Sequence, residues 1–298
     1  MSVANHAWSF WRTISEVSPR IIREEMTREF RLGIVGQEAE RARWRGLLLP
    51  EHATRLERED GGVRLLELDA APDEGTAAGC VATFYLGAEG EAIGVRGPNS
   101  LPFVGTDRQA LEWVTRVKPD LSVAFGRYLP GMRPGACQRL ILRASETNAR
   151  FAFLSALPGV LPITLPFLPA SSAMDVIVLT KNQAMLVMRL AAAHGHAPGY
   201  TKQVREVLGT VAGAMGWRML ARELVGMIPA GVGVAAKTAI AYSGTITVGK
   251  AALYYYQMGC QMTAEEIRQV HTESEALAHA EAQRVSEDPP TPDELPIL

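Results

Sequence analysis

The stretch "FRLGIVGQEAERARWRGLLLP", residues 30–50, places a short apolar run before a segment of helical character. The apolar run predicts a β-strand, and Gly33 and Gly36 fall where a tight turn would lead into a helix. Glycines at such a turn let backbone N–H groups and a helix N-terminus face a phosphate. The stretch therefore has the outline of a phosphate-binding loop, of which Gly33 and Gly36 are the weak remnant.

The groups that complete such a loop are missing from the sequence. Gln37, Glu38 and Glu40 follow Gly36 where Gly-Lys-Ser/Thr would hold phosphate and Mg²⁺. The second candidate strand ends in Asp-Ala-Ala-Pro at 69–72 rather than Asp-x-x-Gly, and the sequence contains no Asn-Lys-x-Asp motif. Because the electrostatics of GTP hydrolysis require these groups, we expect a degenerate nucleotide-binding fold with no cofactor and no catalytic residues.

The pattern between residues 30 and 117 is typical of an α/β fold with a small, mostly parallel sheet. The predicted strands are 31–35, 63–68, 80–86 and 101–105, and the predicted helices are 38–48 and 107–117. The Gly, Pro and Asp content predicts loops at 69–75 and 87–100. We expect four regions: N-terminal helices (1–29), a degenerate nucleotide-binding-like α/β domain (30–118), an all-α apolar helical domain (119–262), and an amphipathic helix with a disordered acidic tail (263–298).

The predicted helical domain is unusually apolar. Residues 151–174 carry no charge and are long enough to span a bilayer core of about 30 Å, but four prolines interrupt them. We therefore expect a buried connector or a re-entrant segment there. Residues 175–195 predict a helix, with Asp175 as N-cap and Gly195 as the C-terminal stop. Further helices are predicted at 200–215 and 217–228.

A ladder of small residues marks the last long predicted helix, which begins at Pro229. Its members recur every fourth position: Gly231, Ala235, Ala239, Ser243, Thr247 and Ala251. A stripe of small side chains lets another helix approach closely, as in membrane helix pairs and in tight soluble hairpins. Thr263 and Glu266 then predict a capping box for an amphipathic helix, with Ile267, Val270 and Leu277 on one side.

The polar candidates within the helical domain are few. Lys181, Asn182 and Gln183 interrupt an apolar helix. They would either line a cavity that binds a headgroup or partner, or hydrogen-bond the proline-rich connector. His194 and His196 supply too few ligands for a metal, so we expect no metal site.

Composition excludes several function classes. The 298 residues carry a net charge of −2, which argues against a nucleic-acid partner. The three cysteines form no disulfide framework, and the first residues lack the pattern of a signal peptide. We expect a cytoplasmic protein. Trp8 and Trp11 share a helical face that would pack on the core or sit at a membrane interface.

Residues 121–259 resemble a family of unknown function, the GTPase-associated YcjF-like helical domain (domain of unknown function 697). The resemblance rests on "ETNARFAFLSALPGVLP" (146–162), on "DVIVLTKNQAMLVMRLAAAHG" (175–195) and on "GMIPAGVGVAAKTAIAYSGTITVGKAALYYYQMG" (226–259). The "LTKNQ" motif at 179–183 is its most specific part. The resemblance implies a helical membrane-associated domain that follows a GTPase domain; it carries over no catalytic residues.

Three functional hypotheses follow. The first is a non-enzymatic scaffold or regulator on the cytoplasmic side of a membrane, with lipid, a partner GTPase or a membrane protein as partner and a homo-oligomer as a possible form. The second is a nucleotide sensor or GTPase-related enzyme that binds phosphate through backbone groups alone. The third is a soluble helical binding module with an apolar pocket.

Overall fold

The computed structural model describes residues 19–86, 93–96, 103–157, 172–197 and 233–291. The chain divides into two compact units. The first unit comprises residues 20–140 and 191–198, and the second comprises residues 1–19, 141–190 and 199–298. The boundary predicted between residues 118 and 119 lies inside the first unit.

The first unit alternates helices and strands, as its hydrophobic pattern predicts. Its helices are α1 (Arg20–Met26), α2 (Glu38–Leu48), α3 (Arg55–Gly62), α4 (Glu74–Ala78), α5 (Asp107–Val117) and α6 (Ser122–Tyr128). Its strands are β1 (Leu32–Val35), β2 (Leu65–Leu68), β3 (Ala82–Tyr85), β4 (Ile93–Arg96) and β5 (Phe103–Gly105). Short 3₁₀ turns at Pro119–Leu121 and Pro130–Met132 flank α6. Helices α3 and α4 are additions to the predicted elements, and α4 begins inside the loop predicted at 69–75.

The sheet has the strand order β2-β1-β3-β4-β5. Strand β1 pairs in parallel with β2 and β3, while β4 pairs antiparallel with β3 and β5. The prediction of a mostly parallel sheet is confirmed for β2, β1 and β3, whereas β4 and β5 pair antiparallel. The prediction of a loop over 87–100 is wrong because β4 lies within it. Its glycine-rich sequence has a weak local strand preference. Pairing of Val95 with Phe84 across the sheet decides its conformation.

The core of the first unit forms on β1 and β3. Every residue of β1 is buried, as expected for a strand that has neighbours on both sides and covered faces. Trp44 of α2 packs on Phe84 of β3 with ring centroids 4.6 Å apart, and both side chains are fully buried. The apolar face of α2 therefore anchors this helix on the sheet and holds its N-terminus at the end of β1.

The second unit is built from long helices. They are α7 (Arg133–Ala156), α8 (Ser172–Ala193), α9 (Val234–Met258) and α10 (Ala264–Glu287), and a boundary between the units falls within α7 and again within α8. Gly259 ends α9 in the left-handed conformation (φ 70°), which glycine adopts without strain. Thr263 and Glu266 then form the predicted capping box of α10. The prediction of a helical body after an α/β head is confirmed.

Two predictions about helix ends and faces are wrong. Helix α8 begins at Ser172, so Asp175 lies inside the helix and is not its N-cap. Ile267 is buried as predicted, whereas Leu277 is 54% exposed, because the buried side of α10 continues through His271, Ser274 and Ala278. Gly195 does follow the last turn of α8 with a φ of 88°, which confirms the predicted stop.

Several predictions fall on residues that the structure does not describe. They concern Trp8 and Trp11, the proline-rich connector over 158–171, the helices at 200–215 and 217–228, Gly231, and the end of the acidic tail from residue 292. Among the helices within the described ranges, none has the combined length and apolarity of a transmembrane span.

Candidate functional site

The loop after β1 lies at the carboxyl end of the parallel strands, where open α/β sheets bind their ligands. Gly33 faces Thr83 of β3 so closely that an added Cβ would lie 2.8 Å from its Oγ1. The Gly36 N–H donates to the Leu68 carbonyl at 3.2 Å. The two predicted glycines therefore serve strand packing and sheet pairing, and the Gly36 N–H is already occupied.

The N-terminus of α2 is capped by a carboxylate. Oε2 of Glu40 accepts a hydrogen bond from the Gln37 backbone N–H at 3.0 Å. The same oxygen lies 2.9 Å from the place where a Cβ of Gly36 would stand. A negative charge is stabilising at a helix N-terminus, where orphan N–H groups and the helix dipole both favour it. The Glu40 side chain thus provides, from within the chain, the negative charge that a phosphate would bring.

Two further carboxylates lie at this end of the sheet. The buried Arg41 side chain binds Glu38, with Nη2 2.5 Å from Oε2, and it also binds Asp69 after β2. The pKa of Arg41 is raised above its usual value by the hydrogen bonds to Glu38 and then to Asp69. Both partners are acidic, so Arg41 is fully neutralised. With Glu40 added, the formal charge of this group of four side chains is negative.

A second polar cluster lies inside the helical unit, where a chain of amides crosses three helices. Asn182 of α8 donates through Nδ2 to Oδ1 of Asn148 of α7 at 2.6 Å. Asn148 in turn donates to Oγ1 of Thr245 of α9 at 2.7 Å. Asn148 and Thr245 are fully buried, and Asn182 is 8% exposed. We call these three residues the amide chain; it ties α7, α8 and α9 together at one level.

The amide chain clarifies the predicted binding candidates. Asn182 finds a partner on α7, and the proline-rich connector lies outside the described residues. Gln183 is 6% exposed, and Lys181 is half-buried. Thr180 is almost completely buried, and its Oγ1 has no hydrogen-bond partner among the residues that the structure describes. The three predicted residues therefore diverge around α8, and they do not form one cluster.

The small-residue ladder is packed over only part of its length. Ala239, Ser243, Thr247 and Ala251 are buried, whereas Ala235 is exposed at the start of α9. The stripe is therefore not packed at Ala235, which lies on the exposed side of the first turn of α9, whereas Val234 in the same turn packs on an apolar cluster. The buried part faces α10, since Oγ1 of Thr247 lies 3.2 Å from Nδ1 of His271.

His271 is a polar core residue that sequence reasoning missed. It is 8% exposed, and Nε2 lies 4.0 Å from Oε1 of Glu275 on the same helix. Burial lowers the pKa of His271, and the nearby Glu275 opposes that shift only in part. The regular spacing of buried positions on α10, Ile267, His271, Ser274 and Ala278, was the signal that could have identified it.

The described residues place no group of three or more His, Cys, Asp or Glu side chains where they could hold a metal ion. His196 is half-buried after α8, and its pKa is lowered by burial and then by the charge of Arg133. That environment favours a neutral imidazole.

No family model, no curated protein and no solved structure matches this chain. The resemblance to the YcjF-like helical domain remains a prediction that rests on the motifs quoted above.

Proposed function

We propose that the protein is a non-enzymatic scaffold or regulator, associated with the cytoplasmic side of a membrane, with a degenerate GTPase-like head and an apolar helical body. The observation that carries the proposal is the Glu40 carboxylate bound to the Gln37 N–H at the start of α2. It supports a head that retains the layout of a nucleotide-binding fold, in which the chain's own Glu40 carboxylate occupies the place of the phosphate.

The charges around that position support the same view. A phosphate bound at the loop would have to displace Glu40 and then lie near Glu38 and Asp69, whose shared cation, Arg41, is already bound to both. Two like charges at 4 Å repel by about 1 kcal/mol in water and by several-fold more near a protein surface. Binding of a nucleoside triphosphate here would be opposed by each of these carboxylates.

The helical body supports the membrane and partner parts of the proposal. The buried part of the ladder, from Ala239 to Ala251, is the close-packing device of membrane helix pairs. The charge-free residues 151–174 and the resemblance to a GTPase-associated membrane domain point the same way. The partner is a membrane lipid, a GTPase or a membrane protein, and the head would act through protein contacts.

Calorimetric titration of the full-length protein with Mg²⁺-GTP and Mg²⁺-ATP tests the head. We expect no saturable binding at the loop. The matched variant is Gly36→Val, whose added side chain would press on Glu40 and Leu86 and obstruct the loop. A micromolar dissociation constant that this variant abolishes would overturn the proposal in favour of a nucleotide sensor or a GTPase-related enzyme.

Fractionation of cells that express the full-length chain tests the membrane part. We expect the protein to remain with membranes, and carbonate washing separates inserted from peripheral protein. Recovery entirely in the high-speed supernatant, monomeric and without detergent, would instead support a soluble helical binding module.

A further inference from the structure

Among the described residues, Arg64 and Arg127 have no carboxylate partner, in contrast to several neighbouring arginines of the first unit; a buried unpaired nitrogen by itself does not set them apart, since Nε of Arg41 is also unpaired there. Arg45 binds Glu67 and Arg133 binds Glu57, so these guanidinium groups are neutralised by carboxylates. Nε of Arg64 and Nη1 of Arg127 are buried and have no hydrogen-bond partner within the described part of the chain. Because buried polar groups in native proteins are nearly always paired, two such nitrogens in one region call for an explanation.

Both arginines contact the same aromatic ring. Cζ of Arg64 lies 3.7 Å from the ring centroid of Tyr128 and 5.1 Å from that of Phe30. Cζ of Arg127 lies 5.8 Å from the Tyr128 centroid. Stacking on an aromatic face orients a guanidinium group and leaves its N–H edge available to an acceptor. We call Arg64, Arg127 and Tyr128 the arginine–tyrosine cluster.

The fold holds this cluster in place. The Arg64 N–H donates to the Gly61 carbonyl at 3.0 Å, and its own carbonyl accepts from the Leu32 N–H at 2.9 Å. Phe30 packs edge-on against Phe125 with centroids 4.9 Å apart. The backbone of Arg64 is therefore fixed by the sheet and by the end of α3, and an aromatic pair supports its side chain. Fixed groups lose little entropy on binding a ligand.

The cluster lies at the amino ends of the parallel strands, since Arg64 directly precedes β2 and Phe30 lies two residues before the start of β1. It is thus separate from the loop at Gly36. Arg64, Arg127 and Tyr128 are all half-buried, so that part of each side chain is open to solvent. A ligand can reach the exposed part of each guanidinium group, whereas pairing of the buried Nε of Arg64 or Nη1 of Arg127 requires a local movement of the side chain.

We propose that the arginine–tyrosine cluster binds a phosphate monoester. Two arginines that have no carboxylate partner among the described residues supply two positive charges, which a dianion balances and a single carboxylate does not. A phosphate monoester carries about −1.5 to −2 charges near neutral pH. Its oxygens match the paired donors of guanidinium groups, which bind phosphate through two parallel hydrogen bonds.

Calorimetric titration of the full-length protein with inorganic phosphate, at constant ionic strength, tests this site. We expect saturable binding with a dissociation constant of about 1 mM or below. Charge-assisted hydrogen bonds are strong enough that Arg64→Gln and Arg127→Gln should each weaken binding by about tenfold or more. The control is Arg116→Gln, an exposed arginine on α5, which should bind phosphate as the wild type does.

Thermal melts separate a binding effect from a folding effect. If either glutamine variant fails to fold, the titration is repeated with Arg64→Lys and Arg127→Lys. These variants keep the positive charge and the aliphatic stem but lose the paired donors of the guanidinium group. Weaker phosphate binding at an unchanged melting temperature supports the site. Absence of saturable phosphate binding by the wild type, or wild-type affinity in folded variants of either arginine, overturns the proposal.

Vesicles distinguish a lipid headgroup from a free phosphate as the source of the ligand. Phosphatidylcholine vesicles that contain phosphatidic acid present a phosphate monoester, whereas those that contain phosphatidylglycerol present a diester with one charge. Preference for phosphatidic acid that is lost in Arg64→Gln supports a lipid source. Equal binding to both vesicles, together with Arg64-dependent binding of inorganic phosphate, supports a free phosphorylated compound.

Discussion

Gly249 of α9 approaches Ile141 of α7 so closely that a Cβ added to the glycine would lie 2.8 Å from Cγ1 of the isoleucine. The same atom would lie 3.1 Å from Cδ2 of Leu186 on α8. Three helices of the second unit therefore meet at a position where only a hydrogen atom fits. Gly249 is outside the small-residue ladder, and its role follows from this contact alone.

Gly249→Ala should destabilise the protein. Overpacking of a close contact costs about 1–3 kcal/mol, which outweighs the helix propensity gained from alanine. The matched control is Gly46→Ala in α2, where an added Cβ meets nothing within 4 Å and alanine should stabilise by about 0.5–1 kcal/mol. Thermal melts of both variants make the comparison. A melting temperature for Gly249→Ala at or above the wild-type value would contradict the packing described.

A larger side chain should be tolerated at the exposed start of the ladder and should destabilise the protein at the buried positions. Ala239→Leu places three carbon atoms at a buried position and should cost about 1–3 kcal/mol. Ala235→Leu, one ladder step earlier and exposed, should stay within about 0.5 kcal/mol of the wild type. Chemical denaturation of the two variants measures the difference. Equal losses would mean that the ladder is packed as a continuous stripe.

The amide chain should behave as a coupled unit. Asn148→Ala removes the acceptor of Asn182 and the donor to Thr245, and leaving buried polar groups unpaired costs about 1–3 kcal/mol. Asn182→Ala should be destabilising as well. Because the two residues share a hydrogen bond, a double-mutant cycle should give a coupling energy of about 0.5–3 kcal/mol. Additive losses in the double variant would show that the two amides act independently.

Stability should fall on mild acidification through His271. Burial holds the pKa of the folded imidazole below its ordinary value of 6.5, so the unfolded chain takes up a proton first as the pH falls. The stability that the neutral His271 contributes is fully present above pH 6.5. It is lost as the pH falls from 6.5 through the lower pKa of the folded state. His196 has a lowered pKa too and adds a loss of the same sign.

The variant that tests the role of His271 is His271→Gln, which retains a group able to hydrogen-bond Thr247 and does not titrate. Between about pH 7.5 and pH 5 its melting temperature should decline less steeply than that of the wild type. If the melting temperatures of the variant and the wild type decline equally over this pH range, the acid sensitivity arises from another group in the chain.

Local sequence was sufficient to identify a helix, a strand or a helix end wherever a regular pattern covered the whole element. The apolar run of β1 and the amphipathic period of α2 identified the strand and the helix that frame the loop after Val35. Gly195 identified a helix end, since a glycine that follows the last turn adopts positive φ without strain. The capping box at Thr263 and Glu266 was readable for the same reason, because its partners lie three residues apart.

Contacts between distant positions decided the rest. Strand β4 is set by its partner β3, and the buried side of α10 is set by what α9 presents to it. Asn148 and Thr245 are 97 residues apart in the chain, and Arg64 meets Tyr128 across the fold of the first unit. No local period encodes such pairings, because their energy comes from desolvated partners that meet only in the folded chain. The sequence by itself determined an α/β head, a helical body and the type of most elements; the tertiary structure alone decided that Asn148 bonds Thr245 and that two arginines share one tyrosine ring.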